Sequence, residues 1–139
     1  VIAGMAPEKA LHLFDTFGGH PEDDALSGGH KAGEFNANVD EVREFLAGHK
    51  VVYHVGRFPE TTGSLPPGAR FSFVHLDADT YQSTATGIDY FWRRLQPGGV
   101  IIFDDFGWDR CPGVAKGIGE KLPGVRIGRG QYQAWAVKD

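Results

Sequence analysis

Two apolar runs that each end in acids constrain this chain more than any other feature of its sequence. FSFVHL at 71–76 is followed by DAD at 77–79, and VIIF at 100–103 is followed by DD at 104–105. Strands buried on both faces of a parallel sheet read as continuous apolar runs, and ligands of such sheets bind outside the carboxyl ends of the strands. The sequence therefore predicts an acidic pocket where two neighbouring strands end.

The rest of the chain supplies further strands and helices of an α/β protein. Helices are predicted at about 39–46, 81–95 and 112–122; strands are predicted at 10–14, 51–55, 71–76 and 100–103, with hairpin strands at 125–127 and 132–137. We expect Gln96-Pro97-Gly98-Gly99 to stop the second helix and turn the chain. Alternating strands and helices predict a layered, mostly parallel sheet, which a C-terminal antiparallel hairpin closes. We expect a single domain over residues 1–139.

Composition excludes several classes of function. The 14 basic residues are scattered and the net charge is −4, so a nucleic-acid partner is not expected. No apolar run approaches the roughly 20 residues of a spanning helix, and VIAGMAPEK does not resemble a signal peptide, so no membrane role is expected. The single cysteine, Cys111, allows no internal disulfide and favours a cytoplasmic setting. Because no partner histidine is identifiable, we do not expect Cys111 to be a nucleophile.

The strand-end acids have two interpretations. Asp77, Asp104 and Asp105 are the oxygen ligands that Mg²⁺ takes in proteins, and we favour contact with a metal or substrate over a capping role. Asp79 precedes the second helix and fits an N-cap better. Asp15 ends the first strand, where an acid commonly binds ribose hydroxyls, but a solvated loop acid fits its position equally well.

The six histidines do not form a convincing metal cluster. His12, His54 and His75 lie within predicted strands and are expected to be satisfied sheet residues. His20 and His30 each follow Gly-Gly in a long loop, where a base that faces the substrate is one interpretation. We favour the other, a solvated loop histidine.

Four segments, taken together, carry a resemblance to a known family. FDTFGG (14–19), VGRFPET (55–61), FVHLDADTYQST (73–84) and LQPGGVIIFDDFG (95–107) resemble, in order and spacing, the macrocin O-methyltransferase family. This family is a branch of the class I S-adenosylmethionine-dependent methyltransferases. The resemblance covers the chain from about Leu11 to Ala115, and it implies a Rossmann-like methyltransferase sheet.

The resemblance also implies an activity: Mg²⁺-assisted transfer of a methyl group to a hydroxyl of a sugar or another small natural product. Asp77, Asp104 and Asp105 match the metal-binding acids of the family. Asp15 matches the acid that holds the cofactor ribose.

Other positions carry less specific roles in the same resemblance. Gly56 and Phe58 fall in the loop near the cofactor adenine. A carboxylate or a loop histidine could accept the proton of the hydroxyl, which makes Asp77, His20 and His30 the candidate catalytic residues.

The departure from the family lies at the start of the sequence. Only Val1 to Lys9 precede the first predicted strand, whereas a strand, a Gly-rich loop and a crossover helix need a dozen residues or more. We therefore expect the first βα unit to be missing. The neighbouring strands would pair directly, a second copy of the chain would complete the sheet as a homo-oligomer, or the sequence is a fragment. A non-catalytic remnant that binds a metal, a sugar or a partner chain is the alternative to an enzyme.

Overall fold

The computed structural model describes residue 4 and residues 6–20 and 30–139. These residues form two compact units, one made by residues up to 20 together with 31–65, the other by residue 30 together with 66–139. The expectation of a single domain stays a prediction.

The first unit is a pair of parallel strands with short helices. Strand β1 (Leu11–Asp15) pairs in parallel with β2 (Val51–Val55). Helix α1 (Val39–Phe45) lies between them in the chain, and a 3₁₀ helix (Glu60–Ser64) follows β2. The side chain of Asn38 accepts a hydrogen bond from the amide of Asp40 at 2.9 Å, so the predicted N-cap is confirmed.

Two histidines join the strands of this unit to its 3₁₀ helix. His12 Nδ1 lies 2.9 Å from His54 Nε2, and His54 Nδ1 lies 2.9 Å from Ser64 Oγ. The Phe14 ring stacks on the His54 ring with centroids 4.1 Å apart. These hydrogen bonds confirm that both histidines are satisfied sheet residues, and burial lowers the pKa of both.

The second unit is a four-stranded mixed sheet with two helices. Its strands are β3 (Phe71–Leu76), β4 (Leu95–Phe103), β5 (Gly128–Arg129) and β6 (Ala134–Val137), in the order β3-β4-β6-β5. β3 and β4 are parallel, whereas β6 is antiparallel to both β4 and β5. The predicted α/β fold with parallel strands and a C-terminal antiparallel hairpin is confirmed, although this sheet is mixed rather than mostly parallel and the first hairpin strand begins later than predicted.

The helices of this unit are short. Helix α2 (Tyr81–Phe91) continues into a 3₁₀ turn (Trp92–Arg94), and helix α3 (Pro112–Lys121) follows β4. α2 has 11 residues, and no helix in the described part of the chain combines the length and apolar character that crossing a membrane requires.

The predicted turn at 96–99 is an irregular bulge of several residues inside β4. Phe71 pairs with Leu95, but Phe73 pairs with Val100, so the residues between those β4 partners leave the register. The bulge remains bonded because Gly98 N–H donates to Lys138 O at 2.7 Å and Lys138 N–H donates to Gly99 O at 2.9 Å. The strand that was predicted to begin at Val100 therefore begins at Leu95, and the segment 96–99 lies within it because the C-terminal strand end supplies these hydrogen bonds.

β1 does not belong to the sheet that contains β3 and β4. Within residues 6–20 and 30–139, β1 pairs with β2, and β3 belongs to the other sheet. Of the alternatives for a missing central strand, direct pairing of β1 with β3 is therefore not observed.

The core of the second unit lies between its sheet and its helices. It is formed by buried side chains of β3, β4, α2, α3 and β6: Val74, Ile101, Phe103, Ile88, Phe91, Val114, Ile118, Ala134 and Ala136. Burying each of the larger ones stabilises the fold by about 1.5–3 kcal/mol. This core fixes β3 and β4 side by side.

Glycines let α3 pack closely against α2. A Cβ on Gly113 would lie 2.5 Å from the Tyr81 backbone nitrogen, and one on Gly117 would lie 3.2 Å from Thr84 Cγ2. A Cβ on Gly119 would meet no atom within 4 Å. Gly113 thus permits the helix contact, whereas Gly119 only weakens α3.

Gly113→Ala and Gly119→Ala should therefore change stability in opposite directions. We expect Gly113→Ala to lower the free energy of unfolding by about 1–3 kcal/mol through overpacking. Gly119→Ala should raise it by up to about 1 kcal/mol because alanine is the better helix former. Urea denaturation of both variants measures this. Equal stability of Gly113→Ala and the wild type would show that the close helix approach is wrong.

Candidate functional site

Two of the predicted acids follow neighbouring strands at the carboxyl edge of the mixed sheet. Asp77 follows β3 and Asp104 follows β4. Leu76 and Phe103 are register partners, and the amide of Asp104 donates to Leu76 O at 3.0 Å. The parallel pairing therefore places the chain at both acids on one sheet edge, as the sequence predicted.

Asp105 and Asp79 form the interior of the acidic cluster. Both have left-handed backbone conformations, with φ of 56° and 51°, which aspartate tolerates better than most residues. Burial, a hydrogen bond with Asp79 and the nearby charges of Asp79, Asp77 and Asp104 raise the pKa of Asp105 to about 7. Like charges in a partly buried site disfavour a further ionised group, so this edge concentrates negative charge that a cation would relieve.

Asp79 does not cap helix α2. The N-cap is Thr80, whose Oγ1 accepts a hydrogen bond from the amide of Ser83 at 3.1 Å. The assignment of Asp79 to capping was wrong because aspartate and threonine are both good N-caps, and the structure uses Thr80, which directly precedes the helix. Asp79 instead joins the acids, and only its place in the DAD segment could have indicated this.

Cys111 faces the same acids. Its side chain is 0% exposed, and its Sγ and one oxygen each of Asp79 and Asp105 lie within 4.8 Å of one another. Burial and then the charges of Asp79 and Asp105 raise the pKa of the thiol to about 12. The thiol is therefore neutral at physiological pH, which disfavours a nucleophilic role.

His30 is the histidine partner that the sequence did not reveal for Cys111. Its ring is 1% exposed, and its Nε2 lies 4.0 Å from Cys111 Sγ. Arg110 Nη2 lies 3.1 Å from His30 Nδ1, and because a guanidinium only donates, Nδ1 must accept. The neutral ring then carries its proton on Nε2, directed at the sulfur.

The preferred interpretation of the loop histidines as solvated side chains was wrong. His30 is buried against Arg110 and Cys111, and His20 is only 8% exposed. The backbone of His20 donates to Glu34 O at 2.8 Å and accepts from Gly33 N–H at 2.9 Å. His20 belongs to the first unit and His30 to the second.

The Asp104 carboxylate has three polar neighbours, which lie on or next to β3, β4 and β6. Its Oδ1 accepts hydrogen bonds from Gln133 Nε2 at 3.1 Å and from the amide of Asp105 at 3.2 Å. Its Oδ2 lies 3.7 Å from His75 Nε2. Sequence reasoning missed Gln133 because it lies 29 positions from Asp104 and follows no motif.

The predicted cofactor residues lie together in the first unit. Gly56 N–H donates to Asp15 O at 2.9 Å, and Asp15 Oδ1 accepts from the amide of Phe17 at 2.6 Å. The Phe58 ring meets the Phe14 ring edge-on at 5.7 Å. Asp15, Gly56 and Phe58 therefore surround the carboxyl ends of β1 and β2.

The raised pKa of Asp105 predicts a pH dependence of stability in the metal-free protein. The folded carboxyl titrates at about 7 instead of 3.8, so the folded state binds this proton more tightly than the unfolded state. The free energy of unfolding should therefore fall as pH rises from about 4 to about 7, and Asp105→Asn should flatten this fall. Urea denaturation at several pH values in EDTA measures the slope.

Asp109→Asn is the matched control for that experiment. Asp109 is an exposed acid in the same loop, so its removal should leave the slope close to that of the wild type. An unchanged slope in Asp105→Asn would contradict the assignment of a raised pKa to Asp105.

Comparisons with known proteins agree with this architecture. Residues 2–106 match a family described as a methyltransferase domain. A curated relative from Streptomyces olivaceus, 8-demethyl-8-(2,3-dimethoxy-alpha-L-rhamnosyl)-tetracenomycin-C 4'-O-methyltransferase, is 36% identical over 66 residues, which are 48% of this chain and 25% of the relative.

Solved structures show the same fold. The O-methyltransferase NovP aligns with a TM-score of 0.79 at 17% identity, over 97% of this chain and 62% of its own. The calicheamicin methyltransferase CalS11 aligns with a TM-score of 0.83 at 18% identity, over 98% of this chain and 65% of its own. The chain thus spans less than two thirds of these structures and a quarter of the curated relative. Because the family match covers most of the sequence, the chain belongs to the methyltransferase domain family, and the solved structures share its Rossmann-like fold.

Proposed function

We propose that this protein is an S-adenosylmethionine-dependent O-methyltransferase that acts, with Mg²⁺, on a hydroxyl of a sugar or another small natural product. One observation carries the proposal. The four segments that resemble the macrocin O-methyltransferase family each include the carboxyl end of a strand, namely β1, β2, β3 and β4. Ligands of open α/β sheets bind at such ends. The relative from Streptomyces olivaceus, named as a 4'-O-methyltransferase of a rhamnosyl tetracenomycin, supports a sugar hydroxyl as the acceptor.

In this proposal the cofactor is held by the first unit. Asp15 ends β1 and uses Oδ1 for the amide of Phe17, and its second oxygen can accept hydrogen bonds from the ribose hydroxyls. Gly56 has a φ of 138°, and a Cβ there would lie 2.8 Å from Thr61 Cγ2. Because glycine has no side chain, the chain at Gly56 can lie this close to Thr61. The aromatic ring of Phe58 can pack against the adenine. S-adenosylmethionine supplies the methyl group, carried on a sulfonium.

The cation is held by the second unit. Asp77, Asp104 and Asp105 supply carboxylate oxygens, the donors that hard cations prefer. The pKa of Asp105 is raised because this carboxyl is partly buried beside other acids. A divalent cation bound among them would compensate this negative charge, so the raised pKa fits a cation site. Mg²⁺, when bound, lowers the pKa of a coordinated hydroxyl.

Among the candidate bases, Asp77 suits proton acceptance best. An ionised carboxylate has two oxygens and several lone pairs, so one group can contact a cation and still accept a proton. His30 has its Nδ1 engaged by Arg110 and its Nε2 protonated, so it lacks the free lone pair of a base. We assign His30 the role of holding Arg110 and Cys111 beside the acids. His20 stays the second candidate base.

Binding of S-adenosylmethionine tests the cofactor side. Wild-type protein should bind the cofactor in isothermal titration calorimetry, and Asp15→Ala should bind it about 10–100-fold more weakly, the loss expected for hydrogen bonds to a charged group. Glu8→Ala, an exposed acid of the same unit, should bind like the wild type. A folded wild-type sample that binds Mg²⁺ but no S-adenosylmethionine would contradict the proposal and support a non-catalytic binding module.

Mg²⁺-dependent stabilisation tests the metal side. Binding to the folded state alone raises the melting temperature, so Mg²⁺ should stabilise the wild type and Asp109→Ala. It should not stabilise the double variant Asp104→Ala with Asp105→Ala. Calorimetric melting with Mg²⁺ and with EDTA measures the difference. An equal Mg²⁺-induced rise in the double variant would show that the cation binds elsewhere.

A further inference from the structure

We propose that Gln133 is a positioning residue that fixes the carboxylate of Asp104 for a divalent cation. This inference rests on the metal side of the proposed function and extends it beyond the motifs. Gln133 lies outside residues 2–106, which match the family, and beyond the segments that resemble known methyltransferases.

The register of the antiparallel strands brings the two side chains together. Phe103 of β4 pairs with Ala134 of β6. In an antiparallel pair, the residue that follows Phe103 stands opposite the residue that precedes Ala134, and these residues are Asp104 and Gln133. A one-residue slip would move the side chain to the opposite face, so the contact depends on the register of the whole hairpin.

The hairpin turn fixes the backbone of Gln133. Gly130 N–H donates to Gln133 O at 2.7 Å. β5 on the far side stays close to β6 because Gly128 has no side chain, and a Cβ there would overlap the Trp135 ring. The backbone of Gln133 is therefore fixed by its hydrogen bond with Gly130 and by the pairing of the next residues with β5, and this limits where the side-chain amide can lie.

The amide determines which oxygen of Asp104 is engaged. Gln133 Nε2 and the amide of Asp105 both donate to Oδ1, at 3.1 and 3.2 Å. Two donors on one oxygen restrict rotation of the carboxylate. Oδ2 then points to the side of His75, whose Nε2 is 3.7 Å away.

Glutamine also suits this position chemically. Its amide donates a hydrogen bond without a positive charge, so it orients the acid without neutralising it. A lysine or an arginine would compete with the cation for the same carboxylate. Outer groups that hydrogen-bond a ligating carboxylate typically change metal affinity by about 10–100-fold when removed.

The experiment compares Gln133→Leu with Gln131→Leu. Leucine is close to glutamine in volume but removes the donor, and Gln131 is an exposed residue of the same turn. We expect Gln133→Leu to bind Mg²⁺ about 10-fold more weakly than the wild type in isothermal titration calorimetry, whereas Gln131→Leu binds it like the wild type. Gln133→Ala serves as a second variant and should show the same loss.

Two further readouts separate positioning from a structural role. The melting temperature in EDTA and the affinity for S-adenosylmethionine should be the same in Gln133→Leu and the wild type.

The outcomes distinguish failure of this inference from failure of the proposed function. Equal Mg²⁺ affinity in the wild type, Gln133→Leu and Gln133→Ala would overturn the positioning role and leave methyl transfer intact. Loss of Mg²⁺ affinity that is matched by a lower melting temperature in EDTA would also overturn it, in favour of a structural role. A wild type that binds S-adenosylmethionine but no Mg²⁺ would overturn the metal side and this inference together.

Discussion

The candidate metal site depends on one interaction, the parallel pairing of β3 with β4. The register that matches Leu76 with Phe103, and the hydrogen bond from the Asp104 amide to Leu76 O, bring two acidic segments to one edge of the sheet. The pairing is maintained by the apolar side chains beneath it, since a one-residue slip would turn the buried face outward. The packing of the core thus determines the chemistry at the sheet edge.

The concentration of acids at this edge opposes folding unless something relieves it. Asp105 titrates at about 7 because it is partly buried among Asp79, Asp77 and Asp104. The nearby thiol of Cys111 is held neutral for the same reason. Proteins keep such unfavourable arrangements mainly at functional sites, and the cation that we propose for this edge would offset the repulsion. The acids are therefore better explained by ligand binding than by stability.

Much of the fold and part of the site could be predicted from the sequence, because their signals are local. The apolar runs predicted β3 and β4, and the acids that follow these runs predicted Asp77, Asp104 and Asp105 as the acidic edge of the sheet. The sequence could not decide between Asp79 and Thr80 as N-cap, since adjacent residues of equal capping ability differ only in the helix start that packing selects. It could not reveal the contact of His30 with Cys111, which lie 81 positions apart, because that contact depends on tertiary structure.

The two groups that donate hydrogen bonds to Oδ1 of Asp104 are neutral. Gln133 and the amide of Asp105 donate to Asp104 as neutral dipoles. Arg110 donates to Nδ1 of His30, and Nε2 of the same ring lies 4.0 Å from Cys111 Sγ. A positively charged donor in the place of Gln133 would offset the negative charge of Asp104. A neutral donor instead orients this carboxylate and leaves its charge available to the divalent cation that we propose for this edge.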